Sequence, residues 1–180
     1  LVQSAVDHIG DKALNVFEIG TGSGCIAISL AVKCKNIKIT ATDISEEALK
    51  TSEENAILNK VNGRISFIRQ DILNDIPKGK YDIILSNPPY ISKMVIDTLD
   101  RQVRDYEPIG ALTDNNDGLT FYRRINEIIP MILKPDGYVI LEIGYDQAEK
   151  VTEIFEKSFE DIKILKDYSQ NDRVFIGKYK

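Results

Sequence analysis

Four consecutive residues, Asn87-Pro88-Pro89-Tyr90, bring together an amide side chain, backbone carbonyls and an aromatic face. Prolines cannot donate to a strand ladder, and they hold the preceding residue extended. The segment therefore reads as a stiff platform offering the Asn87 amide, a free Pro88 carbonyl and the Tyr90 ring to a ligand. A second group lies upstream, in Glu18-Ile19-Gly20-Thr21-Gly22-Ser23-Gly24, an acidic residue followed by a GxGxG loop. Glycines admit positive φ and let the backbone approach a ligand closely. Glu18 can attract a cationic group there. Asp43, at the end of a second apolar run, can accept hydrogen bonds from both hydroxyls of a ribose, and Asp71 ends a third. Taken singly, each of these has a plain structural role, as a tight strand–helix connection, a turn aspartate or a proline-stiffened turn.

The elements that must position these groups alternate along the chain. Asn15 to Ile19 is apolar and β-prone, the glycine loop follows, and Cys25 to Val32 reads as a buried helix. Ile37 to Thr42 is a second strand. Ser45 can N-cap the next helix, with Glu46 and Glu47 in its first turn. Ile65 to Arg69 and Tyr81 to Ser86 are the third and fourth strands, and the fourth runs directly into Asn87. Leu119 to Leu133 is helical, stopped by a turn at Lys134-Pro135-Asp136-Gly137. Tyr138 to Ile143 is a fifth strand, and Asp146 with Glu149 forms a capping-box-like start to a helix burying Val151, Ile154 and Phe155. Ile162 to Leu165 and Val174 to Gly177 close the pattern. Strands alternating with helices give an α/β fold, a seven-stranded mostly parallel sheet with helices on both faces. Glu18, Asp43 and Asp71 then stand at the carboxyl ends of three successive strands, the edge along which open α/β sheets bind ligands.

Composition narrows the chemistry. The chain has 180 residues, 23 basic and 28 acidic side chains, and a formal charge of -5. That suits one domain with a substantial core, and it weighs against a surface built to grip nucleic acid phosphates. The single histidine, His8, rules out a multi-histidine metal site, and no metal is expected; it reads as a surface or packing residue of the first helix. On one helix, Cys25 and Cys34 would lie on opposite faces about 13 Å apart, too far to pair, so a reducing, cytoplasmic setting is expected. No apolar run approaches the roughly 20 residues of a membrane span. The chain starts at Leu1, which suggests a domain cut from a longer protein.

In its sixth place the glycine loop carries Cys25, where a dinucleotide fingerprint has glycine. An acidic residue before GxGxG resembles the S-adenosylmethionine (SAM) loop of Rossmann-like class I methyltransferases. Asn-Pro-Pro-Tyr after the fourth strand resembles those of that class that methylate planar amide or exocyclic nitrogens. Val103-Arg104-Asp105-Tyr106-Glu107-Pro108, Ala111-Leu112, Asp117 to Arg123, Leu141-Glu142-Ile143-Gly144 and Asp172-Arg173-Val174 are similar to the release factor glutamine methyltransferases, the HemK or PrmC family. That resemblance runs through essentially the whole chain. It implies N5-methylation of the glutamine in the Gly-Gly-Gln loop of peptide chain release factors. SAM would be held by Glu18, Gly20, Thr21, Gly22, Ser23, Gly24, Asp43, Asp71, Ile72 and Asn87, leaving S-adenosylhomocysteine as product. Asp71 would meet the adenine amino group. Asn87, Pro88, Pro89 and Tyr90 would form the catalytic platform, with Tyr90 packing on the planar acceptor. The alternatives are an adenine N6 methyltransferase acting on DNA or RNA, and a SAM-binding module without activity.

The chain departs from the family in places. Glu18 stands where aspartate is commoner, which preserves the charge. Asn115-Asn116 replaces a glycine-containing turn, and asparagine also tolerates left-handed backbone. Ile72 sits where some members carry an aromatic residue, so packing against adenine would be aliphatic. Residues 1–180 form one methyltransferase domain in this reading; the family's small helical N-terminal domain and proline-rich linker precede the point where the chain begins. The stretch from Ile91 to Gly118, with Ile96, Leu99 and Val103 at helical spacing, is either a lid or a surface insertion. Arg104 and Glu107 read as structural or lid contacts.

Overall fold

The structure, a computed structural model, describes residues 1–96 and 108–180. Leu99, Val103, Arg104 and Glu107 lie outside the described residues.

Strands β1 (Asn15–Ile19), β2 (Lys38–Asp43), β3 (Ile65–Arg69), β4 (Tyr81–Ser86), β5 (Leu133–Glu142), β6 (Phe159–Lys166) and β7 (Asp172–Tyr179) form one sheet in the order β3-β2-β1-β4-β5-β7-β6. The first five are parallel, and β7 runs antiparallel to both β5 and β6. This is the Rossmann-like fold of class I methyltransferases, as expected. Helices α1 (Val2–Ile9), α2 (Cys25–Lys33) and α3 (Glu46–Leu58) cover one face. Helices α5 (Thr120–Ile132) and α6 (Ala148–Phe155) cover the other, and the short α4 (Ile109–Leu112) lies at the carboxyl edge. The alternation of β4 shows why both faces need cover. Ile83 and Leu85 enter the core under α1–α3, while Ile84 enters the core under α5 and α6. A strand buried on both faces reads as a continuous apolar run, as Ile83-Ile84-Leu85 does.

Two local expectations are corrected. Lys134-Pro135-Asp136-Gly137 does not precede β5 but bulges within it. Pairing passes from Tyr81↔Leu133 to Ile83↔Tyr138, so β5 spends extra residues there. Asp136 takes φ 61, which makes that loop-out possible. Asp146 is exposed and does not cap α6; Gln147 holds the N-cap position, with no side-chain cap bond. Ser45 does cap α3, accepting from the Ala48 N–H at 3.2 Å. His8 packs its ring 4.8 Å from that of Tyr138 and meets the Ser4 carbonyl at 2.7 Å. Cys25 is exposed at the start of α2, Cys34 is buried just past its end, and both are free. No helix among the described residues is long and apolar enough to cross a membrane.

Candidate active site

The strand order reverses between β1 and β4, and at this switch point an open α/β sheet leaves a crevice beyond its strand ends. A cleft of about 520 Å³ lies there, within the size range of small-ligand sites. Gly20 and Gly22, Asp43, Asp71 and Ile72, and Asn87 with both prolines all border it. Four strand ends thus deliver expected site residues to one place. Glu18, Thr21, Ser23, Gly24 and Tyr90 stand behind or beside its wall.

The glycine loop is tied down from three sides. Thr21 N–H donates to the Thr42 carbonyl at 2.9 Å, and Gly22 N–H to Asp43 Oδ2 at 2.9 Å. Asn55 of α3 donates to the Ser23 carbonyl at 2.9 Å. Gly24 has φ 83, and a Cβ there would come 2.9 Å from Ile28 Cδ1 and 3.0 Å from Ser52 Cβ. Only glycine gives this turn both its backbone angle and its close approach to α3.

Glu18 lies directly beneath the loop with no exposed surface. Its Oε2 accepts from the Thr21 hydroxyl at 2.7 Å, while Oε1 has no hydrogen-bond partner. Burial is the main cause that pushes its carboxyl up, to about 7. The Thr21 bond and the nearby Ala27 backbone N–H work against that rise, and the neighbouring Asp43 charge adds to it. A buried acceptor without a donor costs free energy that a cationic or N–H-bearing ligand group would return.

Asp43 and Asp71 both do structural work. Asp43 Oδ1 accepts from Ser45 N–H at 2.9 Å, so the residue clamps the glycine loop to the start of α3. Asp71 accepts from Leu73 N–H at 3.0 Å and from the Asn74 amide at 2.7 Å, forming an Asx turn. Each carboxylate oxygen has a second lone pair, so both can still bind a ligand at the cleft wall. Ile72 is buried beside them, with Ile44 and Ala48 across the cleft, giving an aliphatic slot. The sequence offered no signal for Ile44, nor for Arg124. The Arg124 guanidinium donates to the carbonyls of Ile72 at 2.9 Å and Asp75 at 3.1 Å, bolting this wall to α5.

At the end of β4, Ser86 donates its hydroxyl to the Ile19 carbonyl at 2.9 Å. The exposed Asn87 amide that follows has no hydrogen-bond partner among the described residues. Tyr90 does not border the cleft. Its hydroxyl lies 3.5 Å from Glu142 Oε1 and 3.4 Å from Arg173. Burial, then the Glu142 charge, raises the Tyr90 hydroxyl above the ordinary tyrosine range.

The described ends of the 91–118 stretch pair with each other. Ile91 N–H donates to the Leu112 carbonyl at 2.9 Å and Lys93 N–H to the Asn116 carbonyl at 2.9 Å. Gly110, Ala111 and Asp114 make the cleft wall facing the strand ends, a contribution the sequence left undetermined. Asn115 takes φ 58, the left-handed turn expected of an asparagine there. Burial works against the charge of Asp114, but donors from Thr120, Asn116 and Gly118 outweigh it and hold the carboxyl below its usual range.

The chemistry of the donor set fits SAM. An orphaned buried carboxylate oxygen, two aspartates with lone pairs to spare, an aliphatic slot and an unpartnered amide lie in or under one cleft. Among the described residues no cluster could hold a metal ion.

Comparisons with known proteins agree with this geometry. The model of the methyltransferase small domain family matches residues 3–103. A release factor glutamine methyltransferase of Fusobacterium nucleatum is 46% identical over 166 residues, covering 91% of this chain and 47% of that protein. One of Bacillus subtilis is 41% identical over 167 residues, covering 91% and 57% respectively. The chain thus spans about half the length of these curated relatives. Among solved structures, TrmN from Thermus thermophilus superposes with a TM-score of 0.72 at 20% identity, over 100% of this chain and 48% of that one. That likeness concerns the fold.

Proposed function

The chain belongs to the methyltransferase small domain family, and from that membership we propose that it methylates the side-chain amide of the Gly-Gly-Gln loop glutamine in a peptide chain release factor. The observation that carries the reading is the cleft wall at Asn87 and Pro88. There an unpartnered amide and a free carbonyl adjoin a pocket suited to SAM. The names of the curated relatives support the choice of acceptor.

When bound, SAM supplies an electrophilic methyl group on a cationic sulfur. The residues of this chain do the rest. Asp43 holds the ribose hydroxyls, Asp71 the adenine amino group, and Ile72 with Ile44 the flat faces of the base. Glu18, buried under Gly20 to Gly24, acts on the positive end of the ligand through its charge, from behind the cleft wall. Ser23 and Thr21 keep the loop in shape.

The acceptor is an amide nitrogen whose lone pair is delocalised and weakly nucleophilic. Asn87 Oδ1 and the Pro88 carbonyl accept its two N–H groups, fix it in the attacking orientation and stabilise the positive charge that develops on it. Pro89 keeps the pair rigid. The nitrogen loses its proton after the new N–C bond has formed, so no strong base is required. Tyr90 supports the platform through its half-buried ring and its polar contacts. The release factor is the partner in this reading; neither a membrane nor a nucleic acid is required.

The test is incubation of the full-length protein with SAM and a purified release factor, followed by mass spectrometry of the loop peptide. One methyl group on the loop glutamine is the expected product. Methyl transfer to adenine in DNA or RNA, with none to the release factor, refutes the assignment of the acceptor.

A further inference from the structure

Gln147 lies at the turn from β5 into α6, buried to 7% exposure, and three segments meet on its amide. Oε1 accepts from Gly144 N–H at 2.9 Å. Nε2 donates to the Tyr90 carbonyl at 2.9 Å and to the Gly118 carbonyl at 3.3 Å. The surroundings dictate this orientation of the amide, because its oxygen meets a donor and its nitrogen meets two acceptors. Two glycines admit the side chain. A Cβ at Gly144 would come 2.9 Å from Oε1. One at Gly118 would come 2.9 Å from Nε2 and would collide with the Tyr90 carbonyl.

The Asn87 amide has no partner of its own among the described residues, so its aim is set through the backbone. That backbone is anchored upstream by β4, where Ser86 bonds to Ile19. Downstream, the Ile91 N–H is tied to the Leu112 carbonyl, and the nearer anchor, the Tyr90 carbonyl, is held by Gln147. We infer that Gln147 is a positioning residue for the acceptor platform, a buried buckle joining Tyr90, the Gly118 turn and the β5–α6 turn. The inference rests on the functional reading above. Displacing a reacting group by about 1 Å can cost on the order of 100-fold in rate.

Gln147→Glu separates this role from a merely structural one. It keeps the acceptor for Gly144 N–H but sets a carboxylate oxygen against two carbonyls. In the full-length protein, with SAM and a purified release factor, kcat should fall roughly 10- to 100-fold. The Kd for SAM should stay within about threefold, because no bond of Gln147 reaches the SAM-binding side of the cleft. Amide exchange at Ile91, the residue after Tyr90, should accelerate. A kcat within about twofold of the original overturns the inference, as does a loss of SAM affinity that parallels the loss of kcat. Should Q147E fail to fold, Gln147→Asn retracts both polar ends by one methylene and is read by the same measurements, with the same outcomes. If the unsubstituted protein methylates no release factor, the functional reading fails, and the exchange rates decide for Gln147. Unchanged exchange at Ile91 in the variant then overturns its role.

Discussion

Glu18→Gln should remove a pH dependence of stability that the native protein carries between pH 5 and 8. The Glu18 carboxyl is buried, and its folded-state value is about 7 against 4.5 for the free group. Between those values the folded state binds more protons than the unfolded state. Stability from this group is therefore complete below pH 4.5 and is lost as pH rises through 7. The difference of about 2.5 units corresponds to about 3.4 kcal/mol in full, of which about 2.5 kcal/mol falls between pH 5 and 8. In a domain of this size that is a fall of roughly 5–10 °C in Tm. Glutamine occupies the same volume, keeps an acceptor for the Thr21 hydroxyl and does not titrate. Urea titrations of both proteins, without ligand, at half-unit steps from pH 5 to 8 make the comparison. Asp114 and Asp117, both held below the usual carboxylate range, lose their contribution only as pH falls below about 4, outside this window. All other titrations are common to the two proteins and cancel in the difference. Parallel stability curves, within about 0.5 kcal/mol across the window, would refute the claim that an incompletely compensated buried carboxylate lies under the glycine loop.

Asn87→Ala should lower transfer to the release factor by two or more orders of magnitude while SAM affinity changes much less, as equilibrium dialysis alongside a methylation assay would show. Asp43→Asn replaces an acceptor by an NH2 group facing either the Gly22 or the Ser45 N–H; SAM affinity should fall at least tenfold, and an unchanged Kd would contradict its role. Gly24→Ala forces a side chain into positive φ against Ile28 and Ser52, and should cost about 2–4 kcal/mol in chemical denaturation. Arg124→Ala frees the carbonyls of Ile72 and Asp75; it should weaken SAM binding without changing the KM for the release factor, and equal shifts in both would argue against a local wall.

What was legible in the sequence was what depends on neighbours along the chain. The glycine loop follows a strand, Asp43 and Asp71 end strands, and the prolines stop β4 at Asn87. Each of these is a local pattern, and a parallel sheet carries local patterns to a common edge. What escaped depends on partners distant in sequence. Gln147 meets Tyr90 across 57 positions and Gly118 across 29. Arg124 meets Ile72 across 52. Neither pairing leaves a spacing that a single sequence reveals. The capping expectation failed for a related reason. Asp146 and Glu149 have nearly the right types at the right interval, but the tertiary bonds of Gln147 fix where α6 begins. The polar partners of the Tyr90 hydroxyl, Glu142 and Arg173, likewise lie 52 and 83 positions away.

The polar groups of the site divide by whether the fold already uses them. Asp43 and Asp71 are tied to backbone donors, so their geometry is fixed before any ligand arrives. Glu18 Oε1 and the Asn87 amide are held in place with no hydrogen-bond partner among the described residues. A buried oxygen without a donor lowers stability, and an amide aimed only through its backbone is free to meet an incoming group. The first kind supplies preorganisation and the second supplies the interactions that binding newly creates. One lying behind the cleft wall and the other on it, the two unpaired groups suit different parts of a reaction. The carboxylate answers a permanent positive charge on the donor molecule. The amide answers a charge that appears on the acceptor nitrogen only as the methyl group arrives, and an interaction that strengthens toward the transition state is one that accelerates transfer.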